Sequence, residues 1–291
     1  MTPAEYRWEH AVNSSELVAH VREQIKAASA RGFRDNDYVN AVEADIIWSE
    51  RQQAPVMGHP PQTDGDLTLE CFLVEMLALA KLFVSSAGAV VGETPLIVKL
   101  DFKSDKAFEA AYKLLRAFVS DFPFARSVFV NADILVGPAN AKDVQFNAVE
   151  FLRSAAALGS IDGPNDHKIV LSVGWTTSNA TEEEIHRPYT HDMVDEMLRV
   201  LEPYGHLHVT FPLRATSCRA SWDAIKKLLI GPPTFGFTLW WAKTQMDDAK
   251  IEWLYHKLEE AHDGTTGTTF ANRTFYDILG FEAFLARRKS G

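Results

Sequence analysis

Two stretches of this chain set charged side chains where a strand would bury them. Val98-Lys99-Leu100-Asp101-Phe102-Lys103 alternates apolar and charged residues. Successive side chains on a strand point to opposite faces, so Lys99, Asp101 and Lys103 share one face and Val98, Leu100 and Phe102 the other. Charge on a buried face is costly unless it is paired or holds a ligand. Val42-Glu43-Ala44-Asp45-Ile46-Ile47 repeats the pattern, with Glu43 and Asp45 on one face. Neighbouring carboxylates repel, and a hard divalent cation that prefers oxygen ligands removes the repulsion. Glu43, Asp45 and Asp101 on adjacent strands would offer three ligands to one cation, Mg2+ or Ca2+, with water and substrate oxygens completing its shell. The plainer readings are a Lys-Asp-Lys ion pair at a sheet edge and, for Glu-x-Asp, a solvated strand end.

Two histidines flank these acids in sequence. His10 sits in Trp8-Glu9-His10-Ala11-Val12-Asn13, just before a helix pattern. His59 follows a short apolar run in Val56-Met57-Gly58-His59-Pro60-Pro61, where the prolines end regular structure. Histidine titrates nearest neutral pH, so a pair can divide general acid and base roles. Polar or aromatic residues also close the later strand candidates: Asn131 and Asp133, Ser172 and Trp175, His208 and Thr210 with Arg214 just beyond, then Trp240 and Lys243. Arg214 and Lys243 suit phosphate charge and Trp240 an apolar wall. With Lys99 they are the substrate-binding candidates, though each alone also fits packing or surface. His206-x-His208 is too little for a zinc site.

The elements that must position these residues alternate along the chain. Strand candidates fall at 38–47, 96–103, 127–134, 168–175, 206–213 and 235–242. A first strand ends near His10 and an eighth lies near Thr269–Asn272. Between them, Leu69, Phe72, Leu73, Met76, Leu77 and Ala80, and Phe108, Ala111, Leu115 and Phe118, recur at the spacing of an amphipathic helix. Asn13 with Glu16 reads as a capping box and Ser104 as an N-cap. About eight β/α units near the roughly 250-residue norm predict an α/β fold, a single-domain (β/α)8 TIM-type barrel over 1–291 with the active-site face at the C-terminal strand ends. A doubly wound open sheet is the rival, but it would gather functional residues at one switch point rather than at many strand ends.

Composition narrows the function classes. With 291 residues, 46% hydrophobic and 23% charged, the chain resembles ordinary globular proteins. No apolar run approaches the roughly 18 residues of a membrane helix, and the first residues lack the apolar core of a secretory signal. A soluble, cytoplasmic protein is expected. The formal charge of -10 argues against nucleic-acid binding, although a cation in a cleft reverses the local field. Cys71 and Cys218 read as two buried free thiols rather than a disulfide. Phosphate-loop, dinucleotide and serine-hydrolase signatures are absent.

The segments His10-Ala-Val-Asn-Ser14, Val42-Glu-Ala-Asp-Ile46, Pro55-Val-Met-Gly-His-Pro-Pro61, Thr63-Asp-Gly-Asp-Leu-Thr-Leu69 and Lys99-Leu-Asp-Phe-Lys103, in that order, resemble the menorin family. The match is strongest over roughly the first hundred residues. That family in turn looks like the phospholipase C-like phosphodiesterases, which include glycerophosphodiester phosphodiesterases and sphingomyelinase D-type enzymes on a (β/α) barrel. The resemblance implies that His10 and His59 are the catalytic histidines, that Glu43 and Asp45 are the metal pair, and that Asp101 and Lys103 are the third-strand acid and lysine. Trp240 or Trp241 would stand for a late-strand aromatic. Ala11-Val12 replace the Arg-Gly usual in glycerophosphodiesterases, and Pro60 replaces an aspartate, so substrate preference does not carry over.

The expected function is a divalent-metal-dependent phosphodiester hydrolase or lyase acting on a small phosphodiester or lipid headgroup, with Lys103 as a phosphate clamp. The alternative is a non-catalytic barrel module that binds a phosphorylated or lipid-like ligand in the same pocket. A third reading uses the same acids for enolisation or decarboxylation with Lys99 or Lys103 as base. No protein partner is indicated.

Overall fold

Parallel strands covered on both faces need apolar side chains on both, interrupted only where polar groups find partners. Such strands carry the site. The computed structural model describes residues 1–34, 37–87, 94–138, 144–159, 168–178 and 181–290. Internal contacts group the chain into two units: Glu5–Ala132 with Gln145–Leu171 and Met1, and Asp133–Val144 with Ser172–Gly291 and Thr2–Ala4.

The first unit holds β1 (Trp8–Glu9), α1 (Ser15–Ala30), β2 (Ala41–Ser49), β3 (Ala54–Met57), α2 (Leu69–Ala87), β4 (Ile97–Phe102), α3 (Asp105–Asp121) and α4 (Ala148–Gly159). β5 (Val128–Leu135) and β6 (Ile169–Trp175) begin in it and end in the second. The second unit continues with α5 (His191–Leu201), β7 (Val209–Arg214), α6 (Ala215–Ile230), β8 (Phe235–Trp241), α7 (Asp248–Tyr255), β9 (Thr274–Ile278) and α8 (Phe281–Ser290). The sheet order β1-β2-β4-β5-β6-β7-β8-β9 follows the chain, with β3 antiparallel on β2. The expected fold class, a (β/α)8 TIM-type barrel of parallel strands alternating with helices, is the class observed.

Register explains why the acids meet. Glu43 on β2 lies opposite Lys99 on β4, and Asp45 lies opposite Asp101, which in turn lies opposite Asn131 on β5. Side chains level with each other on neighbouring parallel strands share a face about 4.8 Å apart. The other face, with Val42, Ala44, Val98 and Leu100, is fully buried. The helices answer it with apolar stripes: Val18, Val21, Ile25 and Ala28 on α1, and Ala107, Phe108, Ala111, Leu115, Phe118 and Val119 on α3.

Several sequence expectations need correction. The N-cap of α1 is Ser14, whose Oγ accepts from the Leu17 N–H at 3.2 Å, not Asn13. Asn13 is engaged elsewhere, as described below. Ser104 does cap α3. The eighth strand of the barrel is β9, a few residues later than 269–272. A 3-10 turn over 271–273 delays it, and Phe270 accepts the Arg273 N–H at 3.2 Å. His208 precedes β7 while Arg214 ends it. Cys218 is buried, but Cys71 lies exposed on the outer face of α2 beside Val74, and both are free. Among the described residues no helix is long and apolar enough to cross a membrane.

The second unit contains a titrating pair of its own. The Tyr276 hydroxyl donates to Glu259 Oε1 at 2.7 Å. Burial pushes the Glu259 carboxyl up to about 7, against the pull of that hydrogen bond. The native state therefore binds this proton more tightly than the unfolded chain. The resulting stability is present below about pH 4.5 and is lost as pH rises through about 7. Glu259→Gln is expected to flatten this slope and raise stability at pH 8 by about 1–2 kcal/mol, after allowance for partial exposure. Urea unfolding at pH 5 and pH 8 checks this, and parallel slopes in variant and wild type would contradict it.

Candidate metal centre

Glu43, Asp45 and Asp101 each present a carboxylate oxygen within 4.8 Å of the others. Glu43 and Asp45 are almost completely buried, and so is Lys99. Two of the acids share a partner and the third has its own. Glu43 Oε2 accepts the Ala11 N–H at 2.8 Å and lies 3.5 Å from His10 Nδ1, while Oε1 lies 3.9 Å from Lys99 Nζ. Asp45 Oδ1 pairs with Lys103 Nζ at 2.6 Å, and Asp101 Oδ2 pairs with the same ammonium at 2.8 Å. Asn131 donates to Asp101 from its level position on β5.

The electrostatics follow from this crowding. Burial, then the charge of Asp45, raises the Glu43 carboxyl above its ordinary range, and His10 and Lys99 pull it only part of the way back. Burial also works against ionised Asp101, but Lys103 and Lys99 outweigh it and hold that carboxyl below its usual range. Burial disfavours the Lys103 ammonium too, yet Asp101, Asp45 and Glu43 together keep its proton held more tightly than usual.

The three-carboxylate donor set fits a hard divalent cation, and the Lys103 ammonium bridging two of the acids shows that this place selects positive charge. Mg2+ and Ca2+ both take oxygen ligands, so the set suits either.

The strap that carries His10 is fixed to β2. His10 stands one residue past β1, and Ala11 adopts a left-handed φ of 56° that turns its N–H onto the Glu43 carboxylate. A non-glycine residue in this region costs about 1–2 kcal/mol, and here the gain is a donor on a buried acid. Val12 N–H donates to the Glu43 carbonyl at 2.9 Å.

His59 follows β3, and the Gly58 N–H beside it donates to the Asp45 carbonyl at 3.0 Å. The His59 ring is exposed, with Nδ1 2.6 Å from the Pro60 carbonyl. A carbonyl only accepts, so Nδ1 is the donor in this contact. Asp64, in the segment between β3 and α2, is spent on structure. Arg51, Ser49, Gln52 and the Gly65 N–H all donate to it and hold its carboxyl well below the usual range.

In the second unit, Arg214 and Trp240 lie level on β7 and β8, with the guanidinium carbon 5.2 Å from the indole centroid. Arg214 Nη1 donates to the Glu184 carbonyl at 3.1 Å and its N–H to the Tyr189 hydroxyl at 3.1 Å. Trp241 is buried, so Trp240 is the half-buried aromatic of this strand. Lys243 lies exposed two residues beyond β8. Asp277, buried on β9 and level with Trp240, lies beyond the 269–272 stretch that the sequence suggests for the last strand. Its signal was the alternation in Thr274-Phe275-Tyr276-Asp277-Ile278. Asn13 reads in the sequence only as a cap, whereas its carboxamide is bonded to Asp45.

Residues 3–278 match the Menorin N-terminal domain family. The chain is also similar to Protein FAM151B of Homo sapiens, 30% identical over 280 residues that cover 95% of this chain and 83% of that protein.

Proposed function

The chain belongs to the menorin family, and from that premise we propose that it is a divalent-metal-dependent phosphodiester hydrolase or lyase of the phospholipase C-like kind. Its substrate is a glycerophosphodiester- or phospholipid-like molecule. The observation that supports this most is the buried trio Glu43, Asp45 and Asp101, bridged by Lys103 and faced by His10. The three acids would hold one Mg2+ or Ca2+. When bound, such a cation supplies Lewis acidity toward a non-bridging phosphate oxygen. His10 and His59 divide the base and acid roles on either side of the phosphorus, with the His59 ring oriented through Nδ1 by the Pro60 carbonyl. Lys103, with Lys99 behind it, balances charge growing on the phosphoryl oxygens. Arg214, Trp240 and Lys243 are proposed to meet the substrate.

Turnover of a panel of glycerophosphodiesters and lysophospholipids with Mg2+ or Ca2+ tests the proposal. His10→Ala and His59→Ala are each expected to lower kcat by about 100-fold or more, the scale of one general acid or base. The exposed His59 ring favours a second reading, a module that binds the same ligands without cleaving them. Cation-dependent binding with no turnover across the panel would select it.

A further inference from the structure

We propose that Asn13 is a positioning residue for the metal cradle, holding Asp45 in its ligating orientation. This rests on the reading of Glu43, Asp45 and Asp101 as cation ligands. The Asn13 carboxamide closes two bonds on one residue: Oδ1 accepts the Asp45 N–H at 2.7 Å, and Nδ2 donates to Asp45 Oδ2 at 2.6 Å. The two Asp45 oxygens therefore have separate tasks. Oδ2 is tied to the amide, and Oδ1 is left to Lys103. A carboxylate gripped through both its backbone and one oxygen cannot rotate about its side-chain bonds without breaking a short hydrogen bond. Ligand orientation set in this way is lost when the outer partner is removed.

The sequence position invites a different use of this residue. Asparagine just before a helix usually caps it, but Ser14 caps α1 and leaves the amide for Asp45. Asn13 is also fixed from behind. The left-handed turn at Ala11 and the Val12 N–H bond to the Glu43 carbonyl set the strap against β2. One segment thus serves two of the three acids, through the Ala11 N–H on Glu43 and the Asn13 amide on Asp45.

Calorimetric titration of the full chain with Mg2+ and Ca2+ tests the assignment. Asn13→Ala is expected to weaken cation binding by about 10–100-fold. Ser14→Ala removes the cap of α1 without touching Asp45, so it should lower Tm by a few degrees and leave cation affinity within about twofold of wild type. If Asn13→Ala does not fold, Asn13→Gln serves, because its carboxamide sits one methylene too far to close both bonds, and the same weakening is expected. Wild-type cation affinity in the Asn13 variant, or equal weakening in Ser14→Ala, overturns the positioning role while the metal centre stands. Absence of Mg2+ and Ca2+ binding by the wild type overturns both.

Discussion

Lys103→Met is expected to destabilise the metal-free protein by about 3–5 kcal/mol, the scale of breaking one half of a buried ion pair. The Lys103 ammonium lies 2.6 Å from Asp45 Oδ1 and 2.8 Å from Asp101 Oδ2, and its side chain is only 19% exposed. Methionine preserves much of the volume and removes the charge, so two carboxylates face each other with neutral amides as their remaining short partners. Their mutual repulsion then disfavours the doubly ionised pair, and only Lys99 still pulls on Asp101. The deficit should therefore be largest at high pH and shrink as pH falls and one acid takes up a proton. A divalent cation should compensate, because it takes the place the ammonium held. At a free concentration of 100 times Kd it returns about 2.7 kcal/mol. The variant should also bind that cation more tightly than wild type, having no tethered charge to displace. Urea unfolding at pH 5 and pH 8, with EDTA and with Mg2+ or Ca2+, reads all of these. A loss below about 1 kcal/mol with no cation response would mean that Lys103 does not fill a cation's place.

Much of this centre is legible in the chain because buried charge is rare. Glu43, Asp45, Lys99 and Asp101 stand out as charges alternating with residues that must be interior. What alternation does not contain is register. That Asp45 lies level with Asp101 depends on β2 pairing directly with β4, while the intervening β3 turns back antiparallel on β2. The fold class survives such gaps because it needs only the alternation of strands and helices. Local chemistry misleads where a residue type has two uses. Asn13 has the signature of a helix cap, and only the tertiary position of Asp45 draws its amide away. Cys71 reads in the sequence as a buried thiol on a helix, yet it lies exposed on α2. The outer face of this helix carries Val74 and Val84, both exposed, so hydrophobic spacing alone does not separate the two sides. Asp277 lies beyond the 269–272 stretch that the sequence suggests for the last strand, after the Asp263 turn, whose Oδ1 accepts from the Thr265 and Thr266 N–H groups. For His59, the residue and its loop are legible in the sequence, and the structure adds the contact of its Nδ1 with the Pro60 carbonyl.

Glu43→Gln is expected to move stability and cation binding in opposite directions, a combination that general damage to the fold does not produce. Burial and Asp45 raise the Glu43 carboxyl above its ordinary value, and His10 and Lys99 only partly offset them. Relative to the unfolded chain, the native state thus disfavours the ionised form. The stability present below the unfolded pKa is lost as pH rises through the higher native one. Glutamine is close in shape, still accepts the Ala11 N–H through its amide oxygen, and carries no charge to desolvate. At pH 8 with EDTA the variant should therefore melt above wild type. Divalent cations should then reverse the order. Wild type gains about 2.7 kcal/mol at 100 times Kd, whereas the variant lacks one of three anionic ligands and should bind about 100-fold more weakly or worse. The same titration separates the two components of the site. If the variant melts higher in EDTA yet keeps the wild-type response to Mg2+ and Ca2+, Glu43 is a buried acid outside the ligand set and the cation is held by Asp45 and Asp101. If the response disappears while the EDTA gain remains, the strain on Glu43 is the cost of keeping a carboxylate ready for a cation, which explains why so buried a position retains an acid.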